Sequence, residues 1–203
     1  MDQVRDGCNN EKIVNIIYMV PVPNGVRHQY RRIFTMNRQK VLDFLDKLNI
    51  QYDILEHPAA VDEDSVKFLD ENLPSTPCKN LFLVNRQGTE FYLLMMPRAK
   101  DFRTKYIKEQ LGLAHLSFAK EEHMVEKLDV YPGSVSVMCL MNESADSVHF
   151  ILDEDVKKSE TVRFHVGDNT CSARVQINDF LEKILPALGR EPISIDIPNT
   201  IYG

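Results

Sequence analysis

No uninterrupted apolar run in the 203 residues approaches the roughly 18–20 needed to cross a bilayer. The richest stretch, residues 13–22, contains Asn15 and is broken by Pro21 and Pro23. It follows acidic Asp2, Asp6 and Glu11 rather than a basic leader, so no secretory signal is expected. Eight glycines and ten prolines are too few for collagen-like or low-complexity architecture. Cysteine is scarce and scattered. Cys8, Cys78, Cys139 and Cys171 form no C-x-x-C pair, and no histidine stands at a chelating spacing from them. Neither a metal site nor a disulfide framework is expected, and reduced thiols in a soluble, cytoplasmic protein are. The glycine-rich phosphate loops and the G-x-S-x-G nucleophile elbow are absent, and no cofactor is expected. Basic charge is in deficit: 24 Lys and Arg stand against 30 Asp and Glu, a net charge of −6. That balance argues against non-specific polyanion binding, but charge acts within about a Debye length of 8–10 Å, so its local distribution matters more.

What is present is ordinary globular text: 43% apolar and 27% charged residues, enough for one core. Residues 1–36 read as an N-terminal extension, a possible extra hairpin around Asn24-Gly25 with a basic cluster at Arg27, Arg31 and Arg32. From Asn37 the pattern becomes regular. Val41, Leu42, Leu45 and Leu48 recur at helical spacing, a strand covers 51–56, and a second helix carries Val66, Phe68, Leu69 and Leu73. Two strands, 79–85 and 90–96, flank the turn Arg86-Gln87-Gly88 as a hairpin. Helices are expected over 101–111, capped by Asp101 and ended by Gly112, and over 120–128. Short β segments follow near 135–141, 147–152, 161–165 and 171–177. A last helix starts at Asn178 and ends at Gly189, and an irregular tail, docked or frayed, spans 191–203. The hairpin and the late β cluster argue against a doubly wound sheet. The expectation is α+β: a single mixed-sheet domain over 37–190 with surrounding helices.

The candidate chemistry lies in four short blocks: His57-Pro58; Cys78-Lys79-Asn80-Leu81-Phe82-Leu83; Pro132-Gly133-Ser134-Val135-Ser136; and Phe164-His165 followed by Asn169-Thr170. Each has a bland reading. Lys79 opens an otherwise apolar strand as an edge lysine does, Gly133-Ser134 is compatible with an ordinary turn, and His57 and His165 are compatible with packing or surface histidines. In this order and spacing, however, the blocks resemble the YbaK/prolyl-tRNA-synthetase-associated domain family, from about Asn37 to Gly189. The Lys-Asn pair and the late histidine look most like the branch that clears alanine from tRNA(Pro). Two positions depart from the family pattern: Val137 stands where the glycine loop usually ends in proline, and Val166 follows His165 where a His-Pro is common.

The resemblance implies trans-editing, the hydrolysis of the ester bond of mischarged tRNA(Pro). An aminoacyl ester is already activated, so its hydrolysis requires a positioned water and oxyanion stabilisation rather than a covalent nucleophile. It further implies that amides of Gly133 and Ser134 hold the carbonyl or the ribose, that Lys79 serves phosphate or ester, and that Asn80 is a neutral partner. His165 would orient substrate or pass a proton, since an ordinary imidazole near pH 6.5 permits both states. A small apolar pocket that admits alanine and excludes proline would supply the discrimination a synthetase lacks. Val135, Val137 and Met138 are its expected walls, with His57 nearby. The window 97–108 sets Arg98, Lys100, Arg103, Lys105 and Lys108 against the single acid Asp101, a candidate tRNA contact with Arg98, Lys105 and Lys108 along one side. The implied partners are tRNA and prolyl-tRNA synthetase, with no membrane. A catalytically weak aminoacyl-tRNA-binding or regulatory module, and a deacylase for cysteine- or serine-charged tRNA, are the alternatives.

Overall fold

The computed structural model describes residues 38–59 and 63–199. The hairpin and basic cluster expected within 1–36 lie outside the described residues. The first helix, α1 (Arg38–Lys47), buries Val41, Leu42 and Leu45, as its spacing predicts. Strand β1 (Tyr52–Glu56) follows, then α2 (Glu63–Asn72), which buries Leu69 and leaves Phe68 40% exposed. The hairpin is β2 (Cys78–Asn85) and β3 (Phe91–Pro97), paired antiparallel with Lys79 opposite Met96. Gly88 turns it at φ 72°, a left-handed conformation that other residues adopt at a cost.

Helix α3 (Thr104–Leu111) ends at Gly112, φ 66°, and β4 (Leu116–Phe118) and a helical stretch over 121–128 follow. Beyond β5 (Val148–Asp153) come β6 (Thr161–His165), β7 (Cys171–Gln176), a helical run over 177–187 and β8 (Ile193–Ile195). Two sheets result, and the fold is α+β. One is antiparallel in the order β1-β7-β6. The other is mixed, β4-β2-β3-β5-β8, with β3, β5 and β8 parallel.

The five-stranded sheet is covered on both faces. Phe91, Leu93 and Met95 enter the main core, which includes Val162, Phe164 and Ala173 of the smaller sheet. Tyr92, Leu94 and Met96 enter a second cluster with Ile107 of α3. Burial on both faces explains why β3 reads as a continuous apolar run rather than an alternation. Three expectations are corrected. Residues 137–141 form a 3₁₀-helix (Val137–Met141) in place of the strand expected near 135–141: the Ser136 hydroxyl accepts from the Met138 amide, a cap that starts a helical turn. Helix α3 begins after Arg103, not under an Asp101 cap. The tail is not irregular throughout, because β8 pairs with β5 and Ile195 and Ile197 are buried.

Candidate functional site

A cavity of about 400 Å³ opens where β2 begins, walled by that strand, α2, β6 and the bend at 132–135. The burial of β2 records the opening: its first four residues are half-buried and its last four are buried. Lys79, Asn80, Gly133, Val135 and His165, scattered over 87 positions of the chain, all line it.

Lys79 donates from Nζ to the Lys100 carbonyl at 2.6 Å. Burial lowers its pKa, opposed by the charge of Asp101. Asn80 supplies a buried Oδ1 that has no hydrogen-bond partner among the described residues. A buried acceptor without a donor costs about 1–3 kcal/mol. Burial pushes the thiol of Cys78, also on the wall, up to about 12, so that it stays protonated at pH 7.

The bend is a turn over Tyr131-Pro132-Gly133-Ser134. Proline occupies its second position, Gly133 its third at φ 89°, and the Ser134 amide closes it on the Tyr131 carbonyl at 3.1 Å. The Ser134 amide is therefore engaged, which corrects its expected role as an oxyanion donor. Pro132, Gly133 and Val135, around it, line the cavity. Ser136 then ties the bend to β6, its hydroxyl donating to the His165 carbonyl at 3.1 Å.

His165 is the last residue of β6. Burial, then the charges of His57 and Arg163, push its pKa down to about 4 against the opposing Asp168, so its imidazole is neutral at pH 7 rather than poised between two states. Its Nδ1 lies 3.3 Å from the Ser172 hydroxyl, which lies 2.9 Å from Nε2 of His57. His57 thus stands behind the wall, 6% exposed, against the lining residues Ser172 and His165.

Two expected pocket walls are corrected. Val137 and Met138 are wholly buried in the main core, because the 3₁₀-helix after Ser136 turns them inward. The cationic window is also divided. Lys100 is buried, with Nζ 2.8 Å from Asp153 and 2.7 Å from Asp155, and serves no phosphate. Burial would lower its pKa, but the two carboxylates raise it. Arg98 precedes α3 and is paired with Asp70, which also holds Arg163 at 2.5 Å. Burial would raise the Asp70 carboxyl, yet the two guanidiniums hold it below the usual range. Arg103, Lys105 and Lys108 remain at the surface of α3 or just before it.

Sequence reasoning missed Ser172 and Arg163. Arg163 fastens α2 to the cavity by donating to the Leu69 and Leu73 carbonyls. Among the described residues, no group of three or more His, Cys, Asp and Glu side chains is gathered as metal ligands would be, and no helix is long and apolar enough to cross a membrane.

The site thus defines a class of α+β domain with two sheets that gathers an ammonium, an amide, an imidazole and a glycine bend around one cleft. Within that class the chain belongs to the aminoacyl-tRNA editing domain family (the YbaK/prolyl-tRNA-synthetase-associated type), whose profile matches residues 57–183. It is 28% identical over 160 residues to the prolyl-tRNA editing protein ProX of Acetoanaerobium sticklandii, covering 79% of this chain and 97% of that one. It is also 28% identical over 156 residues to the mouse prolyl-tRNA synthetase associated domain-containing protein 1, covering 75% of this chain and 91% of that one. A crystal structure of a candidate trans-editing enzyme for prolyl-tRNA synthetase shares the fold at a TM-score of 0.59 and 18% identity, covering 79% of this chain and 97% of that one.

Proposed function

We propose that this chain is a trans-acting deacylase that hydrolyses the ester of mischarged tRNA(Pro), with Ala-tRNA(Pro) as the preferred substrate. One observation carries the reading: Lys79, Asn80, Gly133 and His165 line a single cavity that contains an unsatisfied buried acceptor. The unpartnered Asn80 Oδ1 accepts from the α-ammonium of the aminoacyl group. Amides of Gly133 and Val135 face the carbonyl oxygen, where charge develops as water adds. The bond from carbonyl carbon to ribose oxygen then breaks, and the proton from water passes to that oxygen. His165, neutral at pH 7, accepts a hydrogen bond from the water or the neighbouring ribose hydroxyl and so positions rather than fully deprotonates it. Lys79 faces the terminal phosphate. Phe118, 57% exposed on the cavity wall and 5.0 Å from Phe102 in a tilted pair, offers a face for the terminal base.

The choice of tRNA(Pro) is supported by the relatives named for prolyl-tRNA editing or for prolyl-tRNA synthetase, and the synthetase is the proposed partner. Val137, where the family favours proline, is the first residue of a 3₁₀-helix. Proline and valine are both compatible with such a position, so the departure leaves the bend intact.

The test is deacylation of tRNA(Pro) charged with alanine, cysteine or proline. Rapid loss of alanine, retention of proline, and a fall of on the order of 100-fold or more in kcat/KM for Lys79→Ala and His165→Ala are expected. Persistence of Ala-tRNA(Pro) at enzyme excess overturns the reading. Binding without turnover identifies a binding module, and preference for cysteine a different editing specificity.

A further inference from the structure

The three-stranded sheet places one serine between two histidines. Ser172 on the central strand β7 is fully buried, and His165 on β6 is its direct cross-strand partner. His57 follows β1 on the other side, its backbone amide bonded to the Thr170 carbonyl at 2.9 Å. We propose that Ser172 and His57 are positioning residues that hold His165 in the Nδ1–H tautomer, leaving its Nε2 lone pair for the substrate. The proposal rests on the deacylase reading only for what that lone pair meets.

The argument is one of donors and acceptors. Nδ1 of His57 lies 2.8 Å from the Pro58 carbonyl, which can only accept, so that nitrogen carries the proton. With His57 in its neutral form, Nε2 is then an acceptor, and among the described residues the hydrogen that reaches it is that of the Ser172 hydroxyl, 2.9 Å away. With its hydrogen committed to His57, Ser172 Oγ can only accept from His165, so Nδ1 of His165, 3.3 Å away, carries the proton. Nε2 of His165 has no hydrogen bond among the described residues, and the residue lines the cavity. A backbone carbonyl thus sets a ring state two side chains away. Free neutral histidine prefers the opposite form, with its proton on Nε2, so the tautomer reports the relay directly.

The experiment is nitrogen NMR on the full-length protein labelled at histidine, at neutral pH, with His165 assigned by its loss in His165→Gln. The expected wild-type spectrum shows a proton-bearing Nδ1 and a bare Nε2. Ser172→Ala removes the acceptor and shifts the ring towards Nε2–H. His57→Phe frees the serine hydrogen to turn to His165 Nδ1 and produces the same shift, while Ser172→Thr keeps the wild-type pattern. Deacylation by Ser172→Ala falls on the order of 10- to 100-fold in kcat with little change in KM, the size seen when outer partners of a functional histidine are removed. A wild-type ring with its proton on Nε2, or a Ser172→Ala spectrum identical to the wild type, overturns the relay. A wild-type protein inactive on every charged tRNA overturns the deacylase reading instead, and the spectra still decide the relay.

Discussion

His165 illustrates how far surroundings move a side chain from its ordinary chemistry. In an unfolded chain its imidazole takes a proton near pH 6.5, and in the folded protein only near pH 4. Between those values the unfolded state binds more protons, so stability rises with pH through that window, is full above it and is lost as pH falls towards 4. Urea unfolding at pH 7 and pH 5 checks this: the wild type is expected to lose more stability on acidification than His165→Gln, which has nothing to protonate. Neighbouring residues of the bend divide in the same way between surface and core. Val135 lines the cavity and Met138 is wholly buried. Val135→Ala should therefore relax the exclusion of larger aminoacyl groups, read as faster deacylation of Pro-tRNA(Pro). Met138→Ala should cost about 2–5 kcal/mol in stability and leave the amino-acid preference unchanged. A Met138→Ala protein that is stable but altered in specificity would return that side chain to the pocket.

Elements built on periodic apolar residues were legible before folding was considered. The helix α1 follows from a 3.6-residue apolar repeat, and the hairpin of β2 and β3 from two short apolar runs flanking a glycine turn. The stretch 137–141 was not legible, because a short run that is apolar at every position has no periodicity to distinguish strand from helix. Its conformation is decided by the Ser136 hydroxyl, which caps the 3₁₀-helix and bonds the His165 carbonyl 29 residues away. Ser136→Ala should cost about 1 kcal/mol, as loss of a cap does, and lower the deacylation rate by more than the fraction unfolded accounts for, since the bend and β6 lose their tie. Thermal unfolding and kcat measured on the same preparation separate the two effects.

Across the molecule, Lys100 and Lys105 show why a count of charges misleads. Both belong to one basic window, yet Lys100 is buried between Asp153 and Asp155, and its carbonyl anchors Lys79. Lys100→Met should destabilise the protein by about 3–5 kcal/mol, because Asp153 keeps a buried charge without its cation. Lys105→Ala should leave stability within about 0.5 kcal/mol and reduce the slope of log affinity for tRNA against log salt by about one. A Lys105→Ala slope equal to the wild type's would remove α3 from the tRNA contact.

The amino-acid sequence by itself determined the class of fold, the hairpin, the main helices and the four blocks whose order marks the family, because those depend on local spacing and residue type. Only the tertiary structure decided that Ser172 stands between His57 and His165, that Lys100 is neutralised by acids some fifty residues later, and that Val137 and Met138 face the core. Strand register and the side to which a buried turn points are set by partners distant in the chain, and no local pattern records those partners.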